Sequence, residues 1–344
     1  MRTLTIAVNT LKEAIRQPVI ILIIALFGGA VFFSQFITFF GLGEEARMLR
    51  DSCLATITIG GLLVAIFASA SVISDEIEKK TAMTVLCKPV SRVEFILGKY
   101  FGILLALLVA YIIFSVVFLF TIWCNESPTV QGLFSLWWRN DRITDGHLAR
   151  WMGERTKDPN HLASGGAVIV SLLRSARLFT VKLVPALLQA LICSYAEVAV
   201  LAAAAVAAST RLSTVLNAVV SASFFVVGHL QGYLVRAFYP VDDLGQRMYQ
   251  QVDSLSLGAT LLQYPSIGIA KLFHAILPDL EMFSYSAQVA FQLPKFEEVA
   301  MEGVRDVVSP IPMSLMGETL LYGMLYSAAL VLIAVISFRN RELT

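Results

Sequence analysis

A short charged segment between two long apolar runs limits most strongly what this chain can fold into. The apolar runs occupy 53–73 and 102–123. Each is about the ~20 residues that a helix needs to cross a ~30 Å hydrocarbon core. The segment between them, 74–101, carries nine Asp, Glu, Lys and Arg residues, and lipid excludes such side chains. The sequence therefore predicts two membrane helices joined by a charged connector outside the membrane.

The composition extends this interpretation to the whole chain. Hydrophobic residues make up 57% of the 344 residues and charged residues only 15%, against about 25% charged in a soluble domain. We therefore predict an all-α integral membrane protein with a single transmembrane domain over 1–344. Apolar length places its six transmembrane helices at about 19–40, 53–73, 102–123, 183–208, 214–235 and 319–338.

The first 18 residues are predicted to form an interfacial helix. Apolar residues recur there at three- and four-residue spacing, between charged ones, as on one face of a helix. Such a helix lies along the membrane surface, and Pro18 marks the change of direction into the first span. It serves either to position a partner or simply to anchor the chain.

The distribution of positive charge predicts that both termini are cytoplasmic. An even number of spans puts the two ends on one side. With the ends inside, the cytoplasmic segments hold 11 of the 26 Lys and Arg residues at about twice the outer density, as the positive-inside rule requires. Three cations just before the fourth span, Arg174, Arg177 and Lys182, run against this orientation. The cytoplasmic segments are 1–18, 74–101, 209–213 and 339–344.

Two large extracytoplasmic inserts follow from the same assignment, at 124–182 and 236–318. Within the second, 257–278 is apolar but contains Pro265, Lys271 and His274, which favours a surface-lying or re-entrant element over a seventh span. Cys53 and Cys124 both fall near the outer side. They either form a disulfide or remain free thiols.

Glu197 and His229 are the candidate residues within the membrane. A carboxylate in the middle of the fourth span is costly and marks a functional position. When the fourth and fifth spans are folded into a hairpin about Arg211, His229 lies about 6 Å along the helix axis from the position facing Glu197. The pair either fixes helix packing or lines a transport path.

The charged connector and the start of the next helix carry a family resemblance. An acidic cluster, a Thr, a Lys-Pro-Val-Ser-Arg run and Gly-Lys-Tyr-x-Gly resemble the permease subunits of ABC transporters of the type-2 exporter family. The ending Phe338 to Leu343 is also similar to that family's. The matching connector residues are Ser74, Asp75, Glu76, Glu78, Thr81, Lys88, Pro89, Val90, Ser91, Arg92, Gly98, Lys99, Tyr100 and Gly102.

The resemblance implies a permease subunit of an ATP-driven exporter in the cell membrane, with the coupling segment at 74–101. Its partners would be a cytoplasmic ATP-binding-cassette subunit, which binds ATP and Mg, and a second permease chain in a homodimer or heterodimer. The residues implied to contact the ATPase are Ser74, Asp75, Glu76, Glu78, Thr81, Lys88, Pro89 and Arg92. The alternative is an ATP-independent assembly factor or secondary transporter whose outer inserts bind a partner.

Catalytic chemistry on this chain is not predicted. The four histidines are far apart, and the sequence has no H-E-x-x-H, nucleophile elbow or phosphate-binding loop. The four cysteines form no C-x-x-C, so no metal site is indicated. A net charge of +1 argues against nucleic-acid binding. An intramembrane enzyme built on Glu197 and His229 is a third, weaker interpretation.

Overall fold

The computed structural model describes residues 2–36, 45–74, 91–126, 183–237, 278–283 and 312–339. Short turns extend two of the helices: a 3-10 turn, Ser34–Phe36, follows the second, and a π-helical turn, Ala70–Ser74, follows the third. A separate 3-10 turn occupies Leu280–Phe283. The α-helices of this part of the chain are α1 (Arg2–Ile15), α2 (Pro18–Phe33), α3 (Glu45–Ser69), α4 (Arg92–Glu126), α5 (Val184–Ser209), α6 (Thr214–Ala237) and α7 (Met313–Arg339).

Helices α3 to α7, and α2 together with the 3-10 turn that follows it, are each long and apolar enough to cross a bilayer. Large apolar side chains project from the outside of the bundle, among them Leu22, Val215 and Leu325, each more than half exposed. Such a surface suits contact with lipid rather than water. The predicted all-helical architecture, with six helices long and apolar enough to span a membrane, is thus confirmed for the described residues, and such a set of helices is typical of a multi-pass membrane protein.

Several helix ends differ from the prediction. Helix α4 begins at Arg92 and not at 102, so the last part of the predicted connector 74–101 is helical. Helices α3 and α7 also begin earlier than predicted, at Glu45 and Met313. Apolar length alone stops at the first charged residue, whereas a helix continues into the interface where its charges reach water or a partner.

Helix α5 is the centre of the bundle and contacts α3, α4, α6 and α7. Its Ala202, Ala203 and Ala205 are completely buried. Small side chains let neighbouring helices approach closely in a membrane, where shape complementarity drives packing. The sequence Ala202–Ala208 therefore explains why this helix, and not a bulkier one, lies inside.

The remaining predictions are met only in part within the described residues. An N-terminal helix is present as α1, while its position at a membrane surface stays a prediction. The inserts 124–182 and 236–318 fall largely outside the described residues. Cys53 and Cys124 are free thiols rather than a disulfide, and the Cys53 sulfur lies 3.1 Å from the Ser34 hydroxyl.

Candidate functional site

The residues predicted to meet an ATPase lie mostly outside the described residues. Ser74 ends the π-helical turn after α3, and Arg92 begins α4. The backbone on both sides of the segment 75–90 is therefore helical. The predicted contact residues within that segment, which the structure does not describe, are Asp75, Glu76, Glu78, Thr81, Lys88 and Pro89.

A reciprocal cap fixes the start of α4. The Ser91 hydroxyl accepts a hydrogen bond from the Glu94 backbone N–H at 3.1 Å, and the Glu94 carboxylate accepts one from the Ser91 N–H at 3.0 Å. This capping box satisfies two N-terminal donors of the helix and contributes about 1 kcal/mol to helix stability. The Ser-Arg-Val-Glu sequence thus sets the point where the connector becomes a rigid helix.

Two glycines of the Gly-Lys-Tyr-x-Gly sequence form the surface of α4 on which α1 lies. A Cβ atom at Gly98 would be 2.8 Å from the Ile6 side chain, and one at Gly102 would be 2.4 Å from the Thr10 Cβ. It would also be 2.7 Å from the Ala7 carbonyl oxygen. The backbones of α1 and α4 are in direct contact here because neither glycine has a side chain to hold them apart.

Lys99, between these glycines, joins the same two helices by charge. Its ammonium lies 3.5 Å from the Glu13 carboxylate of α1 and 5.7 Å from the centroid of the Phe95 ring. The Lys99 side chain is only 6% exposed, so the ion pair is shielded from solvent on the lysine side. A buried lysine requires such a partner, which explains a cation about two turns inside a membrane helix.

Tyr100 and Phe95 connect the start of α4 to the rest of the bundle. The Tyr100 hydroxyl donates a hydrogen bond to the Ala199 carbonyl of α5 at 3.3 Å. The Phe95 ring stacks on Phe338 near the end of α7, with centroids 5.8 Å apart. The motif at the start of α4 is therefore a junction of α1, α4, α5 and α7.

The second candidate site lies in the middle of the membrane helices. Glu197 is at the midpoint of α5, and its side chain is 4% exposed. His229 of α6 approaches it, with Nε2 at 3.3 Å from the Glu197 Oε1 atom. The alignment is not that of a hydrogen bond, so Oε1 is buried without a hydrogen-bond donor among the described residues. The structure therefore brings together the two residues that the sequence paired.

The remaining contacts of His229 hold its ring in place. Nδ1 lies 3.1 Å from the Phe225 carbonyl oxygen, one turn earlier in α6. The Phe225 ring packs on the imidazole at 4.4 Å between centroids. Both contacts come from α6 itself, so the direction of Nε2 toward α5 is fixed by the helix that carries it.

Glu197 and His229 line a cavity of about 230 Å³, called the Glu197 cavity below. Helix α3 contributes Thr58, α5 contributes Ser194, and Phe225 and Phe283 provide aromatic walls. The other lining residues are aliphatic. The cavity combines one carboxylate, one imidazole and two hydroxyls with apolar walls, as ligand sites usually do.

A chain of hydroxyl groups supports the wall of this cavity. The Ser194 hydroxyl is 2.8 Å from the Thr58 hydroxyl and 3.0 Å from the Tyr111 hydroxyl. Tyr111 also fills the space beside Gly61 of α3, where a Cβ atom would be 2.7 Å from the ring. Helices α3, α4 and α5 are therefore linked by hydrogen bonds next to Glu197.

Residues 278–283, here called the hook, enter the bundle from the second predicted outer insert. Two glycines leave room for its side chains. A Cβ atom at Gly228 of α6 would be 2.6 Å from the Leu280 side chain, and one at Gly323 of α7 would be 3.0 Å from the Phe283 ring. Leu280 and Phe283 are buried with Val200 of α5. These contacts lie near the middle of the helices. The hook therefore packs between the helices of the bundle, and its Phe283 forms one wall of the Glu197 cavity.

Sequence reasoning missed Thr58, Ser194, Tyr111 and Phe283 as parts of this site. Hydroxyls and aromatic rings are ordinary within membrane helices, so no local pattern distinguishes these four. The apolar stretch 257–278, predicted to be surface-lying or re-entrant, lies outside the described residues except for Pro278, so that prediction stays open.

Among the described residues, no group of three or more His, Cys, Asp or Glu could hold a metal ion. Comparison with known proteins gives no further assignment. No family model matches the chain, and no curated protein is similar to it in sequence.

Proposed function

We propose that the chain is the membrane-spanning permease subunit of an ATP-driven exporter that resembles the type-2 ABC family. ATP would be hydrolysed by a separate cytoplasmic ATP-binding-cassette subunit, and a second permease chain would complete the transport path. The observation that supports this best is the junction at the start of α4. The residues Gly98, Lys99, Tyr100 and Gly102, which carry the resemblance, bind the beginning of α4 to α1, α5 and α7.

Such a junction suits the transmission of force from a soluble subunit. A partner that pushes on 75–90 acts directly on the capped end of α4 and on the π-helical end of α3. Because α1, α5 and α7 are attached to the start of α4, these helices move with it. The push changes the transport path only if the two conformations of the ATPase make different contacts with the segment 75–90.

Reversing the charge of the acidic cluster should separate the two subunits. We expect Glu76→Lys with Glu78→Lys to lower the amount of ATPase subunit that co-purifies by at least tenfold, because like charges placed together cost several kcal/mol. The measurement is a pull-down of the tagged permease in detergent. A matched control is Asp145→Lys with Glu298→Lys, which changes the net charge equally on the predicted outer side. Full complex formation by the first variant contradicts the docking role.

Both termini and the segment 75–90 are proposed to be cytoplasmic, in the cell membrane. In a cysteine-free background, single cysteines at Asp145 and Glu298 should react with an impermeant thiol reagent added to intact cells. A cysteine at Lys80 should react only after permeabilisation. If only the cysteine at position 80 is labelled in intact cells, the orientation in the membrane is the reverse of the one proposed.

The Glu197 cavity supports one alternative, an ATP-independent secondary transporter. Buried carboxylates inside membrane bundles commonly serve proton or ion coupling. The pull-down separates the two functions, since a secondary transporter brings no ATPase subunit with it.

A further inference from the structure

The burial of Glu197 and the contacts of His229 determine how many protons the Glu197–His229 pair holds. A carbonyl oxygen can only accept, so the contact of Nδ1 with the Phe225 carbonyl places a proton on Nδ1. Glu197 Oε1 is buried without a hydrogen-bond donor among the described residues, and Nε2, at 3.3 Å, is not aligned for a hydrogen bond with it. A carboxylate buried in this way is costly unless it is protonated or faces a protonated imidazole. The pair therefore holds one additional proton, on either the carboxyl or Nε2, and is neutral overall.

A neutral pair is what a site in the middle of a membrane requires, because an uncompensated charge there is costly. If the extra proton leaves, the carboxylate is left with a neutral imidazole and one negative charge. Among the described residues, the cavity lining contains no Lys or Arg to balance it. A cation that enters the cavity restores neutrality.

The walls of the cavity fit a particular kind of cation. Phe225 and Phe283 present aromatic rings on the cavity surface, and aromatic rings attract ammonium groups. The hydroxyls of Thr58 and Ser194 add acceptors beside Glu197. A volume of about 230 Å³ holds a small organic group.

We propose that Glu197 and His229 bind an organic ammonium group of the substrate in exchange for the single proton of the pair. This inference rests on the proposed transport function and assigns its substrate class. When the ammonium group arrives, the bond from the proton to Nε2 or to the carboxyl oxygen breaks. The proton is released from the pair and is taken up by the solvent that reaches the cavity. The His229 side chain, 32% exposed, is the more accessible member of the pair. The total charge of the site stays at zero throughout.

The other ionisable groups on the helices around the cavity and on the hook do not line it in the described part of the chain. Helix α3 carries Arg50 and Asp51 near its first turns. Others are Tyr111 on α4, Tyr195 on α5, Asp279 and Glu281 on the hook, and Tyr322 and Tyr326 on α7. The backbone N–H of Glu281 donates to the Asp279 carboxylate, and the backbone N–H of Asp279 donates to the Tyr322 hydroxyl. The exchange is therefore assigned to Glu197 and His229.

Calorimetric titration of the purified full chain in detergent tests the exchange. The probe is phenethyltrimethylammonium, whose charge is fixed, so any proton released comes from the protein. Titrations in two buffers with different ionisation enthalpies should give one proton released per cation bound. The dissociation constant should rise about tenfold for each unit that the pH is lowered, over the range in which the pair is protonated. Phenethyl alcohol and 3-phenylpropionate should bind at least tenfold more weakly.

Glu197→Gln should abolish both the cation binding and the proton release, while Glu318→Gln, the same change at an exposed position of α7, should leave both unchanged. Equal affinity for the alcohol and the cation, or binding without proton release, overturns the inference. The inference is also overturned if the Glu197→Gln variant keeps its cation affinity and loses only thermal stability, because that result is expected when the pair is purely structural.

A milder variant covers the case in which Glu197→Gln does not fold. Phe225→Leu keeps an apolar side chain at a half-buried position. It should weaken cation binding by about 2- to 30-fold, the usual range of a lost cation–π contact, with the proton count unchanged. Unaltered affinity contradicts the site.

Two results for the unsubstituted chain separate this inference from the proposed function. If the chain co-purifies with an ATPase but does not bind the cation, only this inference is overturned. If it binds the cation but no ATPase co-purifies, only the exporter proposal is overturned.

Discussion

Gly102→Ala should lower the thermal unfolding midpoint in detergent and loosen α1 from the bundle. The new methyl group would lie 2.4 Å from the Thr10 Cβ and 2.7 Å from the Ala7 carbonyl oxygen. The carbonyl belongs to the backbone and cannot rotate away, so α1 must shift as a whole. Overpacking of this kind costs about 1–3 kcal/mol. Proteolysis within the first 15 residues should become faster as α1 detaches.

Gly29→Ala on α2 is the matched control, because a Cβ atom there has nothing within 4 Å. In a helix where space allows, Gly→Ala stabilises by up to about 1 kcal/mol. The two substitutions are thus expected to change the unfolding midpoint in opposite directions. If Gly102→Ala also raises it, α1 does not lie on α4 as described.

Phe283→Ala should produce the largest loss of stability of any single substitution proposed for this chain. The side chain is 1% exposed and is buried with Leu62, Ile66 and Val200. Truncating a buried phenylalanine costs about 3–5 kcal/mol, measurable as a lower unfolding midpoint in detergent. Because Phe283 is also a wall of the Glu197 cavity, a cysteine introduced at Thr58 should react faster with a polar thiol reagent in this variant.

Met282→Ala provides the control within the same hook. Met282 is 43% exposed, and truncation of an exposed side chain changes stability by about 0.5 kcal/mol or less. If the two variants unfold at the same temperature, the hook does not insert between the helices. Unchanged labelling at position 58 would show that Phe283 does not cover the cavity.

The sequence alone predicted the membrane helices well because a bilayer imposes a length and a composition on each one. The ends were predicted less well, since the residues that extend α4 are charged and depend on distant partners. Lys99 is the plainest case. Its counter-ion Glu13 is 86 positions earlier in the chain, so no local pattern connects them.

The Glu197–His229 contact was predictable because two helices joined by a short turn have only one possible register. The rest of the cavity was not. Thr58 and Phe283 come from α3 and from the hook, far away in the sequence, and only the packing of several helices brings them beside Glu197. The capping box of α4 was present in the sequence as Ser91 and Glu94 but was interpreted as part of the connector.

The length of α4 gives it the properties of a lever. Its 35 residues make a rod of about 52 Å, so roughly 20 Å of it extends beyond a ~30 Å hydrocarbon core. A tilt of about 10° around the midpoint displaces each end of such a rod by roughly 4–5 Å. In such a tilt, a displacement of the capped end at Ser91 is matched by an equal and opposite displacement near Trp123, at the other end of the helix, without any helix having to break or unwind.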